Sequence, residues 1–107
     1  MTKFVLYKNK EHFIGYEVSG HSTVNADDTQ GKLVCSAVSS AVIMTANTLS
    51  DVLGAEVDVK VEDGYLKVTV KNPDDKSDLI IGGLELHMNA LADEYKGNIK
   101  ITDGGFH

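Results

Sequence analysis

Residues 56–71, EVDVKVEDGYLKVTVK, give the clearest local signal in the sequence, two short runs in which apolar and polar residues alternate. The apolar positions of the two runs are Val57, Val59, Val61, Leu66, Val68 and Val70. Asp63 and Gly64 stand between the runs, and this dipeptide favours a type I′ turn. The pattern therefore predicts an antiparallel hairpin with one buried face, in which Val59 lies opposite Val68.

Three further strands are predicted by runs that are rich in aromatic and β-branched residues. They cover residues 2–8, 12–19 and 98–103 of the sequence. The three residues at 9–11 are enough for a tight connection between the first two runs, which predicts a second hairpin at the start of the chain.

Two segments have the apolar spacing of helices. The first covers residues 34–53 and stops at Gly54, a common helix terminator. The second covers residues 75–96, after Pro73 and before Gly97. The predicted order is therefore ββαββαβ. It indicates an α+β fold, with two helices on one face of a mostly antiparallel sheet of about five strands. We expect residues 1–107 to form a single domain.

The second predicted helix has an unusually wide apolar arc. One ridge consists of Leu79, Leu86 and Ala90. The other consists of Ile80, Leu84, Met88, Leu91 and Tyr95. One ridge is sufficient to cover the sheet, so the other predicts a contact in a homodimer.

Composition limits the possible partners and location. The chain has 10 basic and 16 acidic residues and a net charge of −6, which disfavours direct binding to nucleic acid. The same charge favours a basic protein or peptide as partner. The single Cys cannot form an intrachain disulfide, which favours the reducing cytoplasm. The first residues contain no apolar run of signal-peptide or membrane length, so no membrane association is expected.

Residues 20–33, GHSTVNADDTQGKL, form the one stretch without apolar periodicity. Unstructured loops of this length are uncommon in a compact domain and are often functional. The predicted loop begins with Gly20 and His21 and ends beside Cys35. The strand and the helix at its two ends could therefore bring the imidazole and the thiol together.

These residues suit acyl transfer if the helix begins next to Cys35. Unpaired N–H groups and about half a positive charge at a helix start favour the thiolate and could bind an oxyanion. His21 could accept the thiol proton and return it to a leaving amine. Ser39, one turn further along, could hydrogen-bond within the site.

Other interpretations of the same residues remain open. A single Cys is most often a small core side chain, and His21 near a strand end is most often a surface or capping residue. His12 and His87 are interpreted as structural or solvated. No Cys/His cluster has zinc spacing, and residues 25–28 lack the ligand pattern of a calcium loop. We therefore expect no metal and no cofactor.

Gly20-His21, the loop, and residues 33–39, LVCSAVS, resemble the signature of the ribosomal-processing cysteine proteases called Prp. That signature is Gly-His, a variable loop, and a helix start similar to Val-Cys-Ala-Ala-Val-Ser. The order of elements is similar over essentially the whole chain. The resemblance implies that Cys35 is the nucleophile and His21 its partner base. Gly20 and Ser39 match the other signature positions.

The resemblance also implies a substrate. Prp proteases remove an N-terminal extension from the precursor of the large-subunit ribosomal protein numbered twenty-seven, and they are dimeric. The basic tails of ribosomal proteins agree with the acidic charge of this chain. The loop would then be a lid that closes over the peptide. Its expected substrate-binding or lid residues are Ser22, Thr23, Val24, Asn25, Ala26, Asp27, Asp28, Thr29, Gln30 and Gly31.

Two alternatives belong to other classes of protein. The first is a non-enzymatic dimeric module that binds a basic ribosomal or ribosome-assembly protein through its acidic surface. The second is a redox-sensing thiol, in which Cys35 forms a disulfide across the dimer. Mass spectrometry of a precursor before and after incubation separates both from a peptidase.

Overall fold

A five-stranded sheet and two long helices make up the chain, for which a computed structural model describes residues 1–20 and 29–105. The elements are β1 (Thr2–Lys8), β2 (Phe13–Ser19), α1 (Thr29–Asn47), β3 (Val57–Glu62), β4 (Tyr65–Val70), α2 (Asp75–Glu94) and β5 (Ile99–Gly105). A π-helical turn at Thr48–Val52 continues α1. The predicted order ββαββαβ and the α+β class are confirmed.

The strands lie in the order β3-β4-β2-β1-β5. The pairs β3–β4, β4–β2 and β2–β1 are antiparallel, whereas β5 runs parallel to β1. The mostly antiparallel sheet is thus confirmed, and its one parallel pair follows from α2, which carries the chain across to the far edge before β5 begins.

The hairpin formed by β3 and β4 has the predicted register, with Val59 opposite Val68. Gly64 supplies the positive φ of its turn. The predicted burial is correct for β4 and wrong for much of β3. Val68 is fully buried, but Val59 is 48% and Val61 68% exposed. Since β3 is an edge strand of the sheet, the helices cover its partner and leave these two valines in water.

One core joins the sheet to both helices. Its buried apolar side chains are Phe4, Leu6, Tyr16, Val34, Val38, Val42, Leu49, Val68, Val70, Ile81, Leu84, Met88, Leu91 and Ile99. The Tyr16 hydroxyl donates a 2.8 Å hydrogen bond to the Val42 carbonyl oxygen and so fixes α1 over β2. Burial raises the pKa of Tyr16, which keeps this donor protonated.

Helix α1 begins at Thr29, five residues before the predicted start at residue 34. The expectation that Thr29, Gln30 and Gly31 belong to a loop or lid is therefore wrong. Gly31 is buried and lies one turn before Val34 on the same face of α1, the face that packs into the core. The Gln30 side chain donates a 2.9 Å hydrogen bond to Asn98, so tertiary contacts stabilise a first turn that has weak local preference for helix.

By length and composition alone, the helical segment Thr29–Val52 could cross a membrane. Its Val34 and Leu49 side chains are fully buried in the core that faces the sheet. This is the arrangement of a helix that covers a sheet, in which apolar residues are needed for packing.

Helix α2 agrees closely with the prediction. Its start is fixed by a capping box, in which Asp74 accepts from the Ser77 amide and Ser77 accepts from the Asp74 amide. The ridge that includes Leu84 and Met88 is buried in the core. The other ridge faces outward, with Leu79 78% and Leu86 74% exposed. It is the surface for which the sequence predicts a dimer contact.

Candidate active site

A cavity of about 270 Å³ lies between α1 and one end of the sheet, and it contains the chain's only cysteine. It is lined by Thr2, Val18, Gly20, Cys35, Val38, Ser39, Val42, Ile43, Glu62, Gly64, Tyr65 and Leu66. Three residues predicted to be functional, Gly20, Cys35 and Ser39, are thus brought to one place. Gly20 at the end of β2 and Cys35 on α1 therefore line the same cavity, although 14 positions separate them in the sequence.

Cys35 is half-buried and is the seventh residue of α1. The unpaired amides of a helix start belong to its first four residues, which here are Thr29–Lys32. At 1.5 Å per residue, Thr29 lies about 9 Å from Cys35 along the helix axis. The expectation that the helix start holds the thiolate and the oxyanion is therefore wrong, because α1 begins earlier than the sequence pattern indicates.

Ser39 lies one turn after Cys35, so the thiol and the hydroxyl share one face of α1. Its side chain is exposed at the cavity, whereas Val38 and Val42 beside it are buried. The cavity consequently has an apolar floor and polar groups at its opening. Such a site can hold an apolar side chain while the peptide backbone reaches the thiol.

Gly20 joins β2 to the cavity wall. Its N–H donates a 3.0 Å hydrogen bond to the Gly64 carbonyl oxygen. It has φ +85°, and a Cβ atom there would lie 2.6 Å from the Met1 carbonyl oxygen. Only glycine fits this position without displacing the backbone. The chain is therefore anchored in the cavity wall immediately before His21.

His21 itself lies outside the described residues. So do seven of the predicted lid residues, Ser22, Thr23, Val24, Asn25, Ala26, Asp27 and Asp28. The pairing of His21 with Cys35 stays a prediction.

The sequence pattern did not single out Tyr65, one of the residues that line the cavity, or its hydrogen-bond partner Glu17. Tyr65 lines the cavity, and its hydroxyl donates a short hydrogen bond to Glu17 Oε2. The Tyr7 hydroxyl donates a 2.8 Å hydrogen bond to the other oxygen, Oε1. The Tyr65 hydrogen bond is the main cause that lowers the pKa of Glu17, and the same bond raises the pKa of Tyr65 to about 12. The alternation of apolar and polar residues predicts strand β4. It does not predict the contact of Tyr65 with Glu17, because that contact depends on the pairing of β4 with β2.

Within the described residues, one group has the ligand types and spacing for a metal ion: His12, Asp75 and Asp78. Its geometry is that of a structural link. His12 Nδ1 lies 2.7 Å from Asp78 Oδ2, and the Phe13 N–H donates a 2.9 Å hydrogen bond to Asp78 Oδ1. The group also lies at the start of α2, where the helix dipole opposes a cation. The interpretation of His12 as structural fits these contacts.

Comparisons with known proteins show the family and the fold of this chain. The family described as cysteine protease Prp matches residues 1–100. No curated protein sequence gives a significant match. Among solved structures, SMU.848 from Streptococcus mutans has a TM-score of 0.86 at 20% identity, covering 99% of this chain and 96% of that one.

Two structures of the essential ribosomal processing protease Prp from S. aureus are also similar. One contains a covalently linked product peptide and has a TM-score of 0.86 at 18% identity, covering 97% of this chain and 100% of that one. The other contains a substrate peptide and has the same TM-score and coverage at 16% identity. At these identities the likeness establishes the fold. The family match over residues 1–100 identifies the chain as a member of the Prp cysteine protease family, a cysteine-type peptidase.

Proposed function

We propose that this peptidase removes the N-terminal extension from the precursor of the large-subunit ribosomal protein numbered twenty-seven, with Cys35 as nucleophile and His21 as base. The observation that carries the proposal is that Cys35 is the only cysteine in the chain. A cysteine peptidase needs a thiol, and this one opens into a cavity beside Gly20, the residue before His21.

The proposed reaction begins when His21 takes the proton from Cys35 Sγ. The thiolate then attacks the carbonyl carbon of the scissile peptide bond. The C–N bond breaks, the imidazolium returns its proton to the leaving amine, and the extension stays on Sγ as a thioester. Water, activated by the neutral imidazole, releases the extension as a carboxylic acid and restores the thiol. Ser39 supplies a hydroxyl that can hydrogen-bond to the substrate beside Sγ.

The proposed lid is shorter than the sequence suggested. Since Thr29 already belongs to α1, the segment available to close over a peptide covers residues 21–28. One end of it is anchored by Gly20 and the other by the first turn of α1. Closure between these two anchors would exclude water from the thioester until the leaving peptide has departed.

Charge supports a basic substrate. The chain carries a net charge of −6, and Glu62 lines the cavity that contains Cys35. An acidic groove raises the rate at which a basic peptide associates, and added salt weakens that attraction. We further propose that the protein acts in the cytoplasm as a homodimer, without direct contact to nucleic acid or membrane.

The test is processing of the full-length precursor, followed by mass spectrometry. The unmutated protein should release one N-terminal fragment. Cys35→Ala should lower the rate by at least about a thousandfold, because no other group replaces the nucleophile. The matched control is Ser36→Ala, since Ser36 is the exposed neighbour of Cys35 on α1 and should process normally.

Two results would contradict the proposal. Cleavage by Cys35→Ala at the unmutated rate would show that another group does the chemistry. Tight, salt-sensitive binding of the precursor with no new fragment would support a binding module in place of a peptidase.

A further inference from the structure

An apolar row of side chains leads from the cysteine cavity to the open edge of the sheet. Val18 on β2 pairs with Leu66 on β4, and Leu66 pairs with Val61 on β3. Val18 and Leu66 pack against the core, so their side chains face the helices, and both residues line the cavity. Paired residues lie on the same face of a sheet, and Val61 therefore extends the row by one strand. It is 68% exposed, so the row ends in water.

The backbone of β3 is also open along this edge. The turn that joins β3 to β4 has two residues, so Glu62 beside it forms hydrogen bonds with β4. The Lys71 N–H donates a 3.0 Å hydrogen bond to the Glu56 carbonyl oxygen, which shows that the even-numbered positions direct their backbone groups at β4. The odd-numbered positions direct their N–H and C=O groups away from β4. These positions are Val57, Val59 and Val61.

Strand β3 lacks the features that usually protect an edge. It is the terminal strand of the order β3-β4-β2-β1-β5, its six residues contain no proline, and its register with β4 has no bulge. Inward-pointing lysines are another common protection, but the side chains that face the helices here are valines. Val59 is 48% and Val61 68% exposed. An added strand with apolar side chains at alternate positions would bury both.

The charges around β3 favour a basic peptide over a second copy of this chain. Residues 56–63, EVDVKVED, contain four acidic residues and one lysine. Lys71 Nζ lies 3.8 Å from Glu56 Oε1 and 3.6 Å from Asp58 Oδ1, at the end of β3 away from the turn. Glu62 stands at the other end and belongs to the cavity lining. Two acidic strands side by side repel, since like charges on neighbouring strands are destabilising.

We propose that the edge of β3 is a docking site for an extended stretch of the precursor, which adds to the sheet as a further strand next to the cavity. The inference rests on the proposed function of the Cys35 cavity. The substrate class is a peptide with apolar residues at alternate positions, which pack on Val59 and Val61. The residues between them are basic and lie on the same side of the sheet as Glu62. Backbone hydrogen bonds supply affinity, and the alternation supplies specificity.

Amide hydrogen exchange tests the docking directly. The probe is a synthetic peptide that spans the extension and the cleavage site of the precursor, bound to Cys35→Ala so that it stays intact. In the free protein the valine amides of β3 should exchange fast, whereas the amides that alternate with them are protected by β4. Saturating peptide should slow exchange at Val59 and Val61 at least about tenfold, because both N–H groups gain a partner. The amides of β5, the other edge strand, should not change.

Two variants block the edge and leave the pairing of β3 with β4 intact. Val61→Lys places an inward-pointing lysine at the edge, which opposes the addition of a strand. Val59→Pro removes one outward N–H, and proline is accepted in an edge strand where the N–H faces solvent. Each should raise the Kd of the peptide for Cys35→Ala at least about tenfold. Val52→Lys is the matched control and should bind normally, since Val52 is 81% exposed and lies outside β3 and the cavity lining.

Three results would overturn the proposal. The first is unchanged exchange at Val59 and Val61 with the peptide bound. The second is that Val61→Lys and Val59→Pro bind the peptide as tightly as Val52→Lys does. The third is protection of the same two valine amides by a higher protein concentration without peptide, because a second copy would then occupy the edge.

These measurements distinguish failure of the docking edge from failure of the proposed function. Normal cleavage of the precursor without protection at β3 would overturn the edge and retain the peptidase assignment. Protection at β3 by a peptide that the unmutated protein does not cleave would retain the edge and overturn the proposed reaction. A peptide that neither binds nor is cleaved would overturn both.

Discussion

Gly20 fits its position beside the candidate site because it has no Cβ atom. Gly20→Ala would strain φ and place Cβ 2.6 Å from the Met1 carbonyl oxygen. We expect it to cost about 1–3 kcal/mol of unfolding free energy and to lower activity further, because it displaces the backbone just before His21. The measurement is urea unfolding together with peptide cleavage under conditions where the variant is folded.

Gly54 provides the control for that substitution. It also has a positive φ, +77°, but a Cβ there would meet no atom within 4 Å. Gly54→Ala should therefore show backbone strain alone and retain full activity in its folded state. If the two variants are equally active when folded, the geometry of Gly20 does not matter for the site.

His12 and Asp78 give stability a defined pH dependence. The hydrogen bond to Asp78 raises the pKa of His12 in the folded protein. The contact between the two side chains therefore stabilises the fold fully at pH values below the pKa of histidine in the unfolded chain, about 6.5. It is lost as pH rises through the higher folded value. Asp78→Asn should therefore destabilise more at about pH 5.5 than at about pH 9 in urea unfolding. Asp93→Asn on the exposed side of α2 should show no such trend.

At the level of elements, α1 shows what a local pattern leaves out. Residues 34–53 contain clear apolar spacing, and that part of the helix could be predicted. The turn before it contains Gly31 and has little local preference for helix. It forms because Gly31 packs into the core and Gln30 bonds to Asn98 at the start of β5. Both contacts depend on the tertiary structure, so the sequence pattern placed Cys35 at the helix start.

Gly15 and Gly83 should respond to alanine in opposite ways. A Cβ on Gly15 would lie 2.0 Å from the Val68 carbonyl oxygen, which would push β2 away from β4. We expect Gly15→Ala to lower the free energy of unfolding by about 3 kcal/mol or more, the upper range for overpacking.

Gly83 lies in α2 with nothing within 4 Å of its Cβ position. Gly83→Ala should stabilise by about 1 kcal/mol in urea unfolding; a loss of stability would contradict this.

On the scale of the whole molecule, local pairing could be predicted from the sequence, whereas the order of the five strands in the sheet could not. The hairpin at 56–71 follows from alternation and its turn, and its register was predicted correctly. The order β3-β4-β2-β1-β5 depends on contacts between distant segments. That order leaves Val59 exposed at an edge and places Glu17 between two tyrosines. The sequence motif singles out Cys35 and Gly20, which line one cavity, whereas the hydrogen bond between Tyr65 and Glu17 depends on the assembled sheet.

The exposed ridge of α2 predicts a dimer that one charge should disrupt. Leu86→Glu would place a carboxylate on the exposed apolar ridge that also contains Leu79. We expect light scattering at micromolar concentration to show a dimer for the unmutated protein and a monomer for Leu86→Glu. Val61→Glu, at an equally exposed valine on β3, should remain dimeric. A monomeric unmutated protein would contradict the prediction.

In the proposed mechanism the extension is transferred to Cys35 before water releases it. Hydroxylamine competes with water for a thioester, so cleavage in its presence reveals whether that intermediate forms. We expect the released extension to carry a growing fraction of C-terminal hydroxamate as hydroxylamine increases, and Cys35→Ala to give neither product. An extension that always ends in a carboxylic acid, released equally well by Cys35→Ala, would contradict it.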